Sequence, residues 1–291
     1  MRILVIYNPT AGRRRLGRLR QFVRCLEAAG AAVTVAATAH AGHGRILSRA
    51  AWQAGTVTHI VAAGGDGTIS EVADGLSGSD LTMGVLPLGT ANVLAHELGI
   101  PFAPADNARA LLSGASRTIW PGQLQTGTQT CLFMQMASAG FDAQVVHHVS
   151  LRGKRLLGRT AYAVQAIREA GRYDFPPLHV TIDGEACRTF GVVVSKGRFY
   201  GGRHVLAPEA TPLRRGFSVT LLDAPGTGQM ARAGLGLLRD RPDQVPGMRR
   251  VRASHIRLIA PACAPVQHDG DASGHLPLVI SDAPFPLRIA V

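Results

Sequence analysis

The chain has 291 residues, of which 46% are hydrophobic and 17% charged, and it carries a net charge of +12. That length admits two domains, each with its own core, and the composition is that of an ordinary globular protein rather than a disordered or fibrous one. No apolar run reaches the roughly 18 residues that span a bilayer, and the N-terminal Met1-Arg2-Ile3-Leu4-Val5-Ile6-Tyr7 is too short for a signal peptide, so a cytoplasmic protein is expected.

The four cysteines (Cys25, Cys131, Cys187, Cys263) form no C-x-x-C pair, which argues against structural zinc or a disulfide framework. The eleven histidines, His40/His43, His147-His148 and His268/His275 among them, show no metal-ligand spacing. Only Lys154 and Lys196 are lysines, so the basic charge is almost all arginine. Such a balance favours an anionic partner. Aromatic residues are 5% of the chain and do not interleave with the arginines, so nucleic acid is not expected. An anionic membrane surface fits, and so does a solvated basic surface with no dedicated partner.

Residues 2–6 read as a first strand, ending at the loop Asn8-Pro9-Thr10-Ala11-Gly12. Leu16, Leu19, Phe22, Val23 and Leu26 share one helical face, and Gly30 closes that helix. A second strand covers 32–36 and runs to Thr38, and Ile46, Leu47, Ala50, Ala51 and Ala54 give a second helix stopped by Gly55. The third strand, 59–63, delivers Gly64-Gly65-Asp66-Gly67-Thr68, and Ile69, Val72, Ala73 and Leu76 predict a helix after it. Glycines at such a strand-to-helix turn let backbone N–H groups approach a phosphate. Asp66 would repel phosphate unless a Mg²⁺ lies between them or it helps a hydroxyl lose its proton. The ordinary reading is a well-capped helix start, with Thr68 and Glu71 as a capping box.

A fourth strand, 82–86, meets a second glycine turn, Pro87-Leu88-Gly89-Thr90-Ala91-Asn92. A short helix from Val93 to Leu98 stops at Gly99 and Pro101, and another runs from about Pro104 to Leu112. Alternating strands and helices predict an open, mostly parallel α/β sheet. The loops at 8–12, 64–68 and 87–92 all fall at carboxyl ends of strands, where such sheets bind ligands. No P-loop, G-x-G-x-x-G or G-x-S-x-G motif occurs.

Beyond Thr118, strand-like runs at 130–137, 178–183, 190–195, 217–222, 255–259, 277–281 and 286–291 predict a mainly antiparallel sandwich or barrel. Helical stretches at about 156–170 and 228–239 interrupt them. Val266-Gln267-His268-Asp269-Gly270-Asp271 stands out, although Asp-Gly between extended segments is ordinarily a hairpin turn, as is expected at Asp183-Gly184.

These motifs together resemble the diacylglycerol kinase catalytic-domain family, in its soluble bacterial lipid-kinase branch, with sphingosine and ceramide kinases as relatives. The resemblance spans nearly the whole chain. It rests on Asn8-Pro9 with Gly12, on Gly64-Gly65-Asp66-Gly67-Thr68 with Glu71, and on Gly89-Thr90-Ala91-Asn92 running into Leu98-Gly99-Ile100-Pro101. Gly140-Phe141-Asp142-Ala143, Gly201-Gly202 with Ala207-Pro208, and Asp269-Gly270-Asp271 complete the ordered set. The glycine-aspartate motif alone is shared with NAD kinases and phosphofructokinases.

The resemblance implies an ATP-binding α/β domain over 1–118 and a β-sandwich lipid-substrate domain over 119–285, with 286–291 able to return to the first and the active site in the cleft between them. It assigns nucleotide contacts to Asn8, Thr38, Gly64, Gly65, Asp66, Gly67, Thr68, Glu71, Thr90 and Asn92. Catalytic Mg²⁺ falls to Asp66, directly or through water. The general base falls to Asp271, where the family usually has Glu, with Asp66 as the alternative suggested by sphingosine kinases. Relatives often carry acidic residues, some holding a structural Mg²⁺, where this chain reads Thr211-Pro212-Leu213-Arg214-Arg215-Gly216-Phe217, so that site is expected to be absent. The implied activity is ATP- and Mg²⁺-dependent phosphorylation of a lipid hydroxyl by a protein resting on the inner face of the membrane. Arg152-Gly153-Lys154-Arg155-Leu156-Leu157 and Met248-Arg249-Arg250 are the candidate interfacial segments. A soluble-substrate kinase of the NAD-kinase type and an inactive nucleotide- or lipid-binding regulator stay open as alternatives. A homodimer through an exposed strand edge is also open.

Overall fold

The computed structural model describes residues 1–9, 13–127, 129–149, 160–260 and 264–291. They form two units, Met1–Trp120 with Ala283–Val291, and Pro121–Asp282. In the first unit the chain runs β1 (Arg2–Tyr7), α1 (Arg13–Ala28), β2 (Ala32–Ala37), α2 (His43–Gln53), β3 (His59–Gly64), α3 (Asp66–Gly75), β4 (Thr82–Pro87), α4 (Val93–Leu98), α5 (Pro104–Leu112) and β5 (Ser116–Ile119). The last strand of the chain, Leu287–Ala290, is labelled β20 and also belongs here.

The sheet order is β2-β1-β3-β4-β20-β5. Strands β1 to β4 are mutually parallel, β20 joins β4 in parallel, and β5 pairs antiparallel with β20. Ile3, Val5 and Ile6 of β1 and Ile60, Val61, Ala62 and Ala63 of β3 are buried, as a parallel sheet covered on both faces requires. Phe22 and Leu26 of α1 pack with Val5, Val61, Leu86 and Leu111 in one continuous core. The chain leaves β1 on one side to make β2 and on the other to make β3, so the strand order reverses there, the usual place for a ligand crevice.

In the second unit β6 (Gly122–Thr126), β7 (Gln129–Phe133), β8 (Met136–Gly140), α6 (Phe141–His148), α7 (Thr160–Ala170), β9 (Leu178–Ile182), β10 (Glu185–Thr189) and β11 (Gly191–Ser195) come first. Then follow β12 (Phe199–Tyr200), β13 (His204–Val205), β14 (Phe217–Leu222), α8 (Thr227–Leu238), β15 (Met248–Ala253), β16 (His255–Ile259), β17 (Pro265–His268), β18 (Asp271–His275) and β19 (Leu278–Asp282). Two sheets, β10-β9-β16-β19-β6-β7 and β15-β14-β11-β8-β17-β18, have only antiparallel neighbours among the described residues. Phe133, Leu178, Val180, Ile256, Leu258 and Ile280 of the first sheet meet Val192, Val194, Val219, Leu221 and Val266 of the second in a shared core, which makes the sandwich.

Two expectations change, and one helix appears where none was expected. The run at 130–137 is two strands, because the main chain turns at Met134-Gln135 to give its N–H groups to a carboxylate described below. Thr68 is not a helix cap: α3 begins at Asp66 with Gly65 in the cap position, and Glu71 is drawn off to another helix. Phe141–His148, rich in β-branched and aromatic residues, is helical because Phe141, Val145 and Val149 pack against Ala161 and Phe175. The proposed interfacial segment at 152–157 and Gly12 of the first loop lie outside the described residues, as do Cys263 and the start of the helical stretch at 156–159. The other interfacial segment lies on β15, where Arg249 pairs with Asp223 and Arg250 with Glu209 and Asp243.

Candidate active site

Three adjacent strands of the first unit, β1, β3 and β4, end in the loops that carry Asn8, Gly64–Thr68 and Gly89–Asn92. Main-chain bonds continue past the strands: Asn8 N donates to Ala63 O at 3.2 Å and Leu88 N to Gly64 O at 2.8 Å. The Asn8 side-chain amide donates to the Thr68 hydroxyl at 3.3 Å, tying the first loop to the start of α3. Thr38 follows β2 and donates its N–H to Tyr7 O at 2.9 Å, so it extends the same row.

The two glycine turns touch through their backbones. A Cβ on Gly89 would lie 2.4 Å from Gly65 Cα, and a Cβ on Gly65 would lie 3.2 Å from Gly89 Cα. A side chain cannot occupy that space at Gly89, and one at Gly65 would need the facing turn to give by a few tenths of an ångström, which is the physical need for glycine here. Asn92 fixes the second turn. Its side-chain oxygen accepts from Gly89 N at 2.7 Å, its amide donates to Gly89 O at 2.9 Å, and its own backbone takes the left-handed conformation at φ 47°. Gly65, in the cap position of α3, has no side chain to offer the first-turn N–H groups, so a helix N-terminus faces the loops uncapped by its own residue.

Asp66 accepts from Leu94 N at 3.3 Å, which links α3 to the start of α4. Arg15 reaches the Thr90 hydroxyl at 3.5 Å and brings a cation that sequence reasoning did not single out, since it is one of several arginines at the start of α1. Glu71 takes a different task from the other motif residues: its carboxylate accepts from Gly42 N at 2.8 Å and Gly44 N at 3.0 Å, capping α2. A Mg²⁺ fits Asp66, because that ion is commonly held by one or two carboxylates, with phosphate oxygens and water completing the shell. Among the described residues, no cluster of three or more His, Cys, Asp or Glu side chains forms an all-protein metal site.

In the second unit, Asp269 and Gly270 turn the hairpin between β17 and β18, both with positive φ, 46° and 86°. The hairpin reading therefore holds, and the turn is also anchored as few hairpins are. The Asp269 carboxylate accepts from three successive main-chain N–H groups, Met134 at 2.6 Å, Gln135 at 2.9 Å and Met136 at 3.0 Å. Asp269 N donates back to Met136 O at 2.9 Å. With its oxygens so engaged, Asp269 is a fastening, and Asp271 lies exposed at the start of β18.

A polar network supports the same turn from below. Asp142 accepts from the Ser138 and Tyr200 hydroxyls and, at 3.0 Å, from the Gln267 amide. Gln267 also donates to Ser138 Oγ at 2.8 Å, and its side-chain oxygen accepts from Gly270 N at 3.0 Å. The Tyr162 hydroxyl donates to Gly270 O at 3.3 Å. Burial, and next the neighbouring Asp142 charge, hold the Tyr200 phenol well above its ordinary pKa. The sequence showed Asp142 and Gln267 only as members of motifs, and nothing in it marked Ser138 or Tyr200.

A lysine ammonium fastens the segment 211–217. Lys196, 1% exposed, pairs with Asp282 and donates to Arg214 O at 3.1 Å and Gly216 O at 3.0 Å.

Comparison with known proteins defines the class. The diacylglycerol kinase catalytic domain model matches residues 2–124, and the model of the YegS C-terminal NAD kinase beta sandwich-like domain matches residues 135–291. A protein named "Probable lipid kinase YegS-like" from Pseudomonas putida is 37% identical over 213 residues, covering 71% of this chain and 70% of that one. The diacylglycerol kinase of Bacillus subtilis is 28% identical over 284 residues, covering 95% and 91%. A solved diacylglycerol kinase-like structure from Bacillus anthracis superposes with a TM-score of 0.80 over 99% of this chain and 94% of that one, and at 22% identity it speaks for the fold. The chain belongs to the diacylglycerol kinase catalytic-domain family, and within it to the YegS-like lipid kinases.

Two outcomes follow from this geometry. Gly89→Ala forces the two turns apart and should lower stability by about 1–3 kcal/mol, the usual cost of overpacking, read by denaturant unfolding, while weakening nucleotide binding in a titration. Tyr200 and Tyr173, the latter raised to about 12 mainly by burial, should ionise late in an ultraviolet titration of the folded chain and near the ordinary value in denaturant. Because the unfolded chain releases those protons first, their stabilisation is complete below about pH 10 and is lost as pH rises through the folded values. Tyr200→Phe should flatten that alkaline loss.

Proposed function

We propose that this chain transfers the γ-phosphate of ATP to the hydroxyl of a membrane lipid, diacylglycerol or a chemical relative of it, at the inner membrane surface. The observation that carries the nucleotide half is the meeting of Asn8, Gly64–Thr68 and Gly89–Asn92 at the ends of three adjacent strands, with the two glycine turns in backbone contact. Amides of the α3 first turn would take phosphate oxygens, and Arg15 would add positive charge beside Thr90. A Mg²⁺ at Asp66 would supply charge neutralisation between the phosphates.

The lipid half rests on the family relationship and on the anchored hairpin. Asp271 would accept the proton of the attacking hydroxyl. Its carboxylate is one methylene shorter than the glutamate expected from the resemblance, and the fastening of the turn by Asp269 and Gln267 limits how far that shorter side chain can stray. Positioning and charge neutralisation would account for most of the rate, as in phosphoryl transfer generally. Peripheral docking suits a chain in which, among the described residues, no helix is long and apolar enough to cross a membrane. The acceptor's alkyl chains would stay in the lipid.

The test is transfer of labelled γ-phosphate into chloroform-extractable product, in mixed micelles of diacylglycerol, phosphatidylglycerol, a sphingoid base or ceramide, with and without Mg²⁺. Mg²⁺-dependent labelled lipid from at least one acceptor is expected, with Asp66→Asn losing both turnover and ATP binding. Labelled NAD in place of any labelled lipid would overturn the proposal.

A further inference from the structure

The second unit carries a basic pocket that the kinase chemistry does not use. It has a volume of about 250 Å³, and Arg214, Arg215 and Arg252 line it together with Asp183, Glu209 and Ser254. At roughly 30 Å³ for a water molecule, there is room for a phosphate group and its closest waters.

The two acids of the lining are already engaged. Asp183 accepts from Ser254 N at 3.0 Å and His255 N at 2.7 Å. Glu209 pairs with Arg250 at 3.3 Å and accepts from the Ser218 hydroxyl. By contrast, no side chain among the described residues pairs with the guanidinium of Arg214 or Arg252. Three guanidinium groups thus line one cavity in which the carboxylates are spoken for.

The segment that bears two of them is fixed in place. The Lys196 ammonium donates to Arg214 O at 3.1 Å and Gly216 O at 3.0 Å, and Asp282 accepts from Gly216 N at 2.8 Å. Lys196 also lies 4.6 Å from the centre of the Phe217 ring. Arg252 comes from the neighbouring strand, where it faces Ser218 across the β14–β15 pair. A buried ion pair therefore holds the main chain under Arg214 and Arg215, and a sheet holds Arg252. Planar guanidiniums held this way suit oxyanions better than chloride, because each can offer two parallel N–H donors, and three of them together match the several oxygens and the multiple charge of a phosphate.

We propose that this pocket binds a phosphate group, either free phosphate or the phosphate of a lipid headgroup, as a second anion site independent of phosphoryl transfer. Calorimetric titration with inorganic phosphate at constant ionic strength, with ATP present to fill the nucleotide loops, tests it on the full chain. Wild type should bind phosphate, and hydrogen exchange should slow in peptides covering 209–218 and 249–255. Arg214→Gln and Arg252→Gln should each weaken phosphate roughly tenfold, as loss of a charge-assisted bond predicts. Arg257→Gln, on the other sheet, should change nothing.

Both arginines are exposed, so their variants should fold, and unchanged far-ultraviolet circular dichroism and melting without phosphate would verify that. Vesicles of phosphatidylcholine with phosphatidic acid separate the two sources. Co-sedimentation lost in the Arg214→Gln/Arg252→Gln double variant, along with phosphate binding, assigns the site to a lipid phosphate. Co-sedimentation retained while phosphate binding is lost assigns it to the free ion. Equal phosphate binding by wild type and the double variant, or no protection at 209–218, overturns the proposal.

Discussion

The carboxylate of Asp269 holds the second unit's candidate site together. It gathers three successive N–H groups at the break between β7 and β8 and thereby joins a hairpin turn to a sheet from which it would otherwise project. Hydrogen bonds to a charged acceptor contribute about 1.5–3 kcal/mol each, so this one side chain fixes the turn more firmly than turn geometry alone would. Two consequences follow. The amides of Met134 and Gln135 leave the strand pattern, and Asp271, two residues on, starts its strand from a fixed point. The Asp142–Gln267–Gly270 chain repeats the constraint from the other side. A catalytic base at this turn would need placement to within a fraction of an ångström, and paired constraints of this kind would serve it.

The first unit solves the corresponding problem with absence of side chains. Gly65 and Gly89 approach so closely that a Cβ on Gly89 would intrude on the facing backbone, and Asn92 locks the second turn with a pair of bonds to Gly89. Loops at the ends of adjacent parallel strands thus become one surface lined with main-chain donors. The same economy appears at Glu71, whose carboxylate caps α2 and so steadies the helix packed beside α3. Lys196 does for the 211–217 segment what a metal ion could do, drawing two carbonyls and a carboxylate around one positive charge.

Much of this was legible in the sequence where spacing carries the physics. Apolar periodicity and glycine stops gave the α/β order of the first unit, and the loops bearing Asn8, Asp66 and Asn92 were found because strand-to-helix turns have distinctive composition. Long-range bonds were not legible. That Glu71 serves α2 rather than its own helix, that Asp269 breaks a strand more than a hundred residues earlier, and that Tyr200 and Ser138 meet Asp142 all depend on tertiary approach. Short edge strands such as β5, β10 and β15 were missed for a related reason. Arg249 and Arg250 read as a candidate interfacial segment, whereas the strand they occupy is set by pairing with β14.

The central claim is that Asp271 is the proton acceptor of phosphoryl transfer and not part of nucleotide binding. The most direct measurement compares kcat with ATP affinity for wild type and Asp271→Asn, a change that keeps the side chain's size. The account predicts a kcat lower by about 10²–10⁴-fold, the usual worth of a general base, with ATP affinity within about twofold. A kcat close to wild type, or ATP binding lost in step with kcat, would contradict it.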